Sequence, residues 1–591
     1  MVFLLFIAAM TQDLTAYDPG CGVAVKQEGD LLRVDDLAID MKKHTFTLAG
    51  IEFTPKLTVT TGARTDRANE RYTFFDKPKV TKRSDAALEW AVRAVSDGKR
   101  VAITIGKLTA GPFHGEFVVT RFAGSPLVRF DAAMTLEEKL VAYFYEFALE
   151  GDFDGAKEKH RIVTANGKLA LFPPPHAFFF PRDWTNDFGF TTAKKGRISI
   201  RQLPDGGGAF VPWFDAPAGR TQHMTAFVCA ADKADSYTRG DVFKPMEGRL
   251  TMTSHWHSRL AISELDGKPK APEFVAAFKA IGVNLVHLAE FHGDGHPDDG
   301  GETRLKEMKS MFDVCRKYSD DQLLLLPGEE WNRHLGNPKP KEHPGHWMYL
   351  FPKPVYCTKV RAEKQEFVEE VKGYGAVYHV GSKDDMVALL EKEKGLAWVA
   401  HPRIKASFAT PDAFKDEPFF KADFFLGAAW KAMPGDLSER LGRRALDVLD
   451  DMRGWGHKKM LLGEVDCFEV DRSHELYGAM NVNYLKLAKK PTVDDWSPVL
   501  DALRAGDFFV TTGEILIHSF EAKAGKVSVE LEWTFPLDFV EIVSAGKRKT
   551  IRMSETGEHG RKRFEWEMET GAWVRVEAWD VAGNGAFTQP Q

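Results

Sequence analysis

The spacing of hydrophobic and polar positions changes twice along the chain. From about residue 20 to 247 the apolar positions come in short runs separated by turn residues. Phe46 to Leu48, Leu57 to Thr60, Arg100 to Ile105, Glu116 to Phe122, Pro126 to Phe130 and Arg197 to Ile200 each suit a strand, with turns such as Ala123-Gly124-Ser125-Pro126 and Asp205-Gly206-Gly207-Gly208. This series predicts a β-sandwich-like region. Within it, Asp85 to Val95 also suits a helix, and Pro173 to Pro181 reads as a Pro/aromatic loop.

At about residue 248 strands begin to alternate with helices, which predicts an α/β layout with a parallel sheet or barrel. Seven strand candidates follow, ending or centred at Thr251–His257, Val283–His292, Leu323–Glu330, His346–Phe351, Leu396–Pro402, Ala422–Gly427 and Met460–Asp466. Helical patterns occupy Glu273–Ile281, Glu302–Tyr318, Asp384–Lys394 and Leu437–Gly454. Unbroken apolar runs such as Leu323–Leu326 suit strands covered on both faces. After about residue 515, Val527–Trp533 and Trp573–Trp579 alternate with period two and predict a small second sandwich.

A chain of 591 residues exceeds one hydrophobic core, so these changes of period divide it into 20–247, 248–515 and 516–591. The net charge of -6 and the lack of a Lys/Arg-rich run exclude a nucleic-acid-binding surface. Cys21, Cys229, Cys315, Cys357 and Cys467 are scattered, which argues against a disulfide framework or a zinc ribbon and leaves room for one or two bridges. Within residues 1–19, the apolar run Val2 to Met10 resembles the core and small-residue end of a secretory signal, so export to a periplasmic or extracellular location is expected. A buried first strand or helix is the competing reading. No integral membrane segment is expected, since no other stretch has the roughly 20 apolar residues a membrane helix needs.

The candidate chemistry lies at the strand ends. In a strand, residues two apart share a face, so His255 and His257 present two imidazoles side by side. His257, His292, Glu330, His401 and Asp466 fall at the C-terminal ends of different predicted strands, and His346 opens another. The C-terminal rim is where barrels of this kind collect catalytic groups. Histidines and carboxylates from several strands on one rim predict a metal site.

This ordered set resembles the PHP (polymerase and histidinol phosphatase) metallohydrolases, and more narrowly the CehA/McbA-like branch, over residues 248–515. Leu503 to Gly513 followed by a β tail is similar to that branch as well. The resemblance implies a distorted (β/α)7 PHP barrel, here flanked by the N-terminal β-sandwich-like domain and the small C-terminal β-sandwich. It implies that His255, His257, Glu330 and Asp466 hold one metal, and that Glu330, His346 and His401 hold a second. Glu329 is the alternative to Glu330. Where the family usually has Asp-His, this chain has Glu290-Phe291-His292. Phe468 stands at the closing histidine position and Ser263 at an early third-metal position. Two divalent ions (Zn, Mn or Fe) are therefore expected rather than three, with Asp471 or His474 as a source of a replacement ligand. His292, sharing a strand face with Glu290, is expected to bind substrate or move a proton; Arg403, just past His401, is expected either to bind an anionic group or to be a surface residue or salt-bridge partner. The expected activity is metal-dependent hydrolysis of an ester, carbamate or phosphoester, on a small-molecule or saccharide-linked substrate. The alternative is a catalytically silent metal- or carbohydrate-binding cell-surface protein. Oligomeric state is left open.

Overall fold

The computed structural model describes residues 17–64, 78, 80–158, 162–174, 190–201, 213–238, 242–268, 272–335, 345–407, 409–430, 445–469, 480–523, 525–557, 559–569 and 571–591. The export segment, most of the Pro/aromatic loop, Asp471 and His474 lie outside the described residues.

The N-terminal region forms two antiparallel sheets. One, of ten strands, runs from Val25–Glu28 through Ile51–Ala63 and Val141–Glu150 to Thr191–Lys194. The other, of eight, runs from Gly155–Lys157 through Gln222–Ala230 and Val128–Thr135 to Ala87–Asp97. Alternation explains the layering: Leu37, Ile39, Phe46 and Leu48 turn inward while their neighbours stay partly exposed. Phe46 and Phe53 of the first sheet meet Phe130 of the second at ring distances of 5.6 and 6.1 Å. Ala87–Asp97 is a strand and not a helix. A register shift between Trp90 and Arg93 interrupts its period-two pattern, which is why the sequence also admitted a helix there.

The middle of the chain builds two further sheets. Arg249–Trp256, Leu285–Leu288 and Leu324–Leu326 lie parallel, linked through the helices Glu273–Ala280 and Glu302–Tyr318. The second sheet holds Glu330–Trp331, Trp347–Leu350, Leu396–Ala400, Phe425–Trp430 and Met460–Gly463. Its last three strands are parallel, whereas Trp347–Leu350 runs antiparallel to both neighbours. Every residue of Leu396–Ala400 and Phe425–Trp430 is buried, as two-sided cover requires. Two seams join these sheets. At one, Glu290 N–H donates to the Gly328 carbonyl (3.0 Å). At the other, Val465 and Cys467 N–H donate to Ser254 and His255, and His257 N–H donates back to Cys467.

Several strands stop earlier than the sequence suggested. The second ends at Leu288 and the last at Gly463. The backbone beyond them turns left-handed, at Phe291 (φ 59°) and Asp466 (φ 44°), which ends regular pairing. Near the C-terminal end, the helix Ser497–Ala505 closes on Gly506, whose φ of 74° an L side chain would resist. Phe508–Thr511 then joins the first of the middle sheets.

That sheet does not end at residue 515. From Arg249–Trp256 it continues through Val482–Lys486, Phe508–Thr511, Gly585–Thr588, Arg575–Asp580 and Leu537–Ser544 to Lys547–Arg552, nine strands in all. Ile515–Lys523, Lys526–Trp533 and Gly560–Glu567 form a separate three-stranded sheet. The N-terminal sandwich docks on this part. Phe535 packs between Phe227 and Tyr237, and the buried Arg100 guanidinium donates to the carbonyls of Leu537 (2.8 Å) and Met553 (2.9 Å). All five cysteines are buried, and none is joined to another by a disulfide. No helix among the described residues is long and apolar enough to cross a membrane.

Replacing Arg100 would remove one donor from each of two carbonyls and leave them to Thr556, whose hydroxyl lies 3.1 Å from Leu537 O and 2.9 Å from Met553 O. Arg100→Ala should destabilise the chain by about 1–3 kcal/mol, and Arg100→Lys by less. Urea denaturation followed by tryptophan fluorescence checks this; an unchanged midpoint for Arg100→Ala would mean that the joint does not depend on this residue.

Candidate metal centre

Glu330 is the centre of the cluster. Side chains alternate along a strand, so Glu329 and Glu330 point to opposite sides. Glu329 turns away and is neutralised by Arg304 (2.6 Å), Lys359 (2.5 Å) and the Tyr349 hydroxyl (3.2 Å). Glu330 turns toward five imidazoles. Its Oε2 lies 3.3 Å from His255 Nε2, 3.5 Å from His257 Nε2 and 3.0 Å from His292 Nδ1. Its Oε1 lies 2.6 Å from His346 Nδ1 and 3.0 Å from His401 Nε2. Asp466 Oδ1 closes the first side, 3.5 Å from His255 Nε2 and 3.6 Å from His257 Nε2. The structure thus brings together all six residues expected as ligands, and adds His292.

The backbone aims these side chains. His255, His401 and Asp466 all have positive φ (71°, 35° and 44°). Such conformations cost about 1–3 kcal/mol each for non-glycine residues and concentrate at functional sites. The seam hydrogen bonds between 254–257 and 465–467 hold two of them, and His401 N–H donates to Ala429 O and Glu464 Oε1.

Hydrogen bonds behind the cluster fix the rings. His257 Nδ1 donates to the Ala289 carbonyl (2.7 Å), which leaves the Nε2 lone pair facing Glu330 and Asp466. His255 Nδ1 sits 3.1 Å from the fully buried Glu464. Glu464 was not singled out from the sequence. Its position two residues before Asp466 was the available signal.

These residues fit a divalent cation. His255 Nε2, His257 Nε2 and His292 Nδ1 are buried and lack a hydrogen bond of acceptable geometry, although carboxylate oxygens lie within 3.6 Å. On this side of Glu330, ring nitrogens and carboxylates converge without hydrogen bonding to one another, as the donor set of an ion does, whereas His346 Nδ1 and His401 Nε2 hydrogen-bond Oε1 at 2.6 and 3.0 Å. Among the described residues, three groups have ligand atoms within 4.8 Å of one another: His255, His257 and Glu330; His255, His401 and Asp466; and His292, Glu330 and His346. Electrostatics agree. Burial disfavours charge on His255, but Asp466, Glu330 and Glu464 outweigh it and raise its pKa well above the ordinary value. Burial dominates at His257 and lowers it to about 4. At Glu330 burial is outweighed by His346 and His255, and its pKa falls well below the ordinary value.

Two expectations change. Glu290 and His292 do not share a strand face. The strand has ended, Phe291 turns left-handed, and the two side chains diverge. The Glu290 carboxylate is buried and accepts from the Ser258 hydroxyl, from Ser258 N–H (3.1 Å) and from Ala261 N–H (3.4 Å). Burial raises its pKa to about 7. Arg403 is committed to Asp412 (2.8 Å) and Asp451 (2.6 Å), so an incoming anion would have to displace two carboxylates. Phe468 stacks on the His257 ring at 3.9 Å and 12°.

Removal of Glu330 should be decisive for metal retention. Glu330→Ala should lose bound divalent metal on gel filtration, Glu464→Gln should weaken affinity about 10–100-fold, and Glu290→Gln should retain it. Elemental analysis of the purified variants checks this; full metal content in Glu330→Ala would contradict the site.

No protein-family model and no curated protein matches the chain. Among solved structures it is similar to a two-domain protein from Bacteroides vulgatus containing a predicted PHP-like metal-dependent phosphoesterase. That match has 11% identity and a TM-score of 0.27, over 57% of this chain and 92% of that one. An alpha-mannosidase from Enterococcus faecalis matches at 11% identity and a TM-score of 0.18, over 36% of this chain and 30% of that one. An alpha-N-acetylgalactosaminidase from Bifidobacterium bifidum matches at 10% identity and a TM-score of 0.22, over 91% of this chain and 99% of that one. Likenesses this distant identify neither a fold nor an activity, and the functional reading rests on the cluster itself.

Proposed function

We propose that this chain is a metal-dependent hydrolase of an ester, carbamate or phosphoester, with two divalent ions (Zn, Mn or Fe) in the cluster around Glu330. One observation carries the reading: the two oxygens of Glu330 face different sets of ring nitrogens, as a carboxylate shared between two ions would. His255, His257 and Asp466 would complete one ligand set, and His346 and His401 the other. The two sheets joined at two seams are read as a distorted (β/α)7 PHP barrel over 248–515, with the regions 20–247 and 516–591 flanking it.

Two such ions, when bound, activate water and polarise a phosphoryl or carbonyl oxygen. The protein's own contribution is position and exclusion of water. His255, His257 and His401 are almost fully buried, whereas the side chains of His346 and His292 are 17% and 31% exposed. Substrate therefore approaches from the side of His292 and His346. His292 stands at that opening, within reach of a leaving-group oxygen, and is the residue assigned to hand it a proton. Glu464 and the Ala289 carbonyl hold the buried rings in place.

Hydrolysis of p-nitrophenyl phosphate and p-nitrophenyl acetate, with Mn or Zn added and after chelation, tests the reading. The expected result is metal-dependent turnover with two ions per chain. Turnover should fall at least about 100-fold in His257→Ala and Asp466→Asn. Bound metal without turnover on either ester would leave a silent metal-binding protein. Turnover that survives chelation would overturn the assignment.

A further inference from the structure

Beside the cluster lies a cavity of about 660 Å³, a size suited to a small organic ligand. Trp256, Arg259, Phe274, Asp294 and Phe468 line it, together with Ser258. Two polar groups of this wall are buried without a hydrogen-bond partner: the Trp256 indole N–H and the carboxylate of Asp294. Unsatisfied buried polar groups are rare enough to need a reason, and two on one cavity wall point to a ligand. The exposed Arg259 guanidinium lies over the Phe468 ring at 5.1 Å; it forms no ion pair with any described carboxylate, although its charge acts on Asp294.

The cavity adjoins the metal cluster at Phe468, which lines it and whose ring stacks on His257 and carries Arg259 over it. Arg259 therefore stands one ring beyond the cluster. From there it does not meet the group held at Glu330; it meets the far end of the same molecule. We propose that this cavity holds the non-scissile half of the substrate, and that Arg259 recognises a second anionic group there, a carboxylate or a second phosphate. A planar or apolar linker would lie along Phe468 and Trp256, with Asp294 accepting from a donor on the substrate. Asp266, Glu273, Asp294 and Glu469 also line the cavity and Lys268 is its second cation, so Arg259 is a localised positive charge in a mixed wall and not part of a basic patch. The N-cap position of Arg259 uses no side-chain hydrogen bond, so substituting it removes no cap. This inference rests on the hydrolase reading for the other half of the substrate, and the two fail separately.

The test is calorimetric binding of three non-hydrolysable probes to the full chain: phenylphosphonate, 4-carboxyphenylphosphonate and 1,4-phenylenebisphosphonate. Each is titrated into metal-loaded and chelator-treated protein, for the wild type, Arg259→Ala and Arg259→Lys. Wild type should bind at least one doubly anionic probe roughly fivefold more tightly than phenylphosphonate. Arg259→Ala should erase that advantage and Arg259→Lys should keep part of it, with unchanged metal content in both. Whichever probe shows the advantage identifies the anion. No advantage in the wild type, or one that survives in Arg259→Ala, overturns the inference. Phenylphosphonate binding that ignores metal counts instead against the hydrolase reading.

Discussion

The structure is arranged around one buried anion. Removing a carboxylate from water costs several kcal/mol even after the protein relaxes, unless positive charge or donors repay it. At Glu330 the repayment comes from imidazoles supplied by strand ends far apart in sequence, at residues 255, 257, 292, 346 and 401. An imidazole supplies either a proton or a lone pair. The cluster can therefore be neutralised by protonated histidines or by cations, and the unpaired geometry of His255 and His257 favours cations.

The strands do not deliver these side chains by regular geometry. His255, His401 and Asp466 bend into the left-handed region, as do Arg259, Phe291 and Arg403 nearby. Strain of this kind persists only where the surroundings fix it. Here the fixing comes from the seam between 254–257 and 465–467, and from Glu464, which engages both the His255 ring and the His401 backbone. On the other side of Glu330, the buried Glu329 is paired with Arg304 and Lys359 and accepts from the Tyr349 hydroxyl, which anchors the same strand. Phe291 rests against Arg304 there, at 4.5 Å, which couples the strained turn before His292 to that network.

The flanking β regions are tied to this centre and are not appendages to it. The strand that carries His255 belongs to the sheet that also contains Gly585–Thr588, so the chain's last residues share hydrogen bonding with the cluster's scaffold. Arg575 extends the link, pairing with Asp450 on the helix Ala445–Gly454 that packs behind the second middle sheet. The N-terminal sandwich then attaches through Arg100 and Phe535.

The sequence determined what depends on local periodicity and residue chemistry. Alternation and short apolar runs located strands in each of the three regions, and helical spacing located Glu302–Tyr318 to the residue. Histidines and carboxylates at strand ends marked His255, His257, Glu330, His346, His401 and Asp466, because strand direction alone sends such ends to one rim. Tertiary structure decided whatever needed a partner from elsewhere in the chain. It showed Glu290 satisfied by Ser258 and Arg403 by Asp412 and Asp451, drew Glu464 against His255, and layered Phe468 between His257 and Arg259. It also ran one sheet across residue 515, where the change of period suggested a boundary. The physical reason is common to these cases. Periodicity reports which face a side chain takes, but a charge or a ring acts through the neighbour it meets, and that neighbour is set by strand order and by turns that no local pattern encodes.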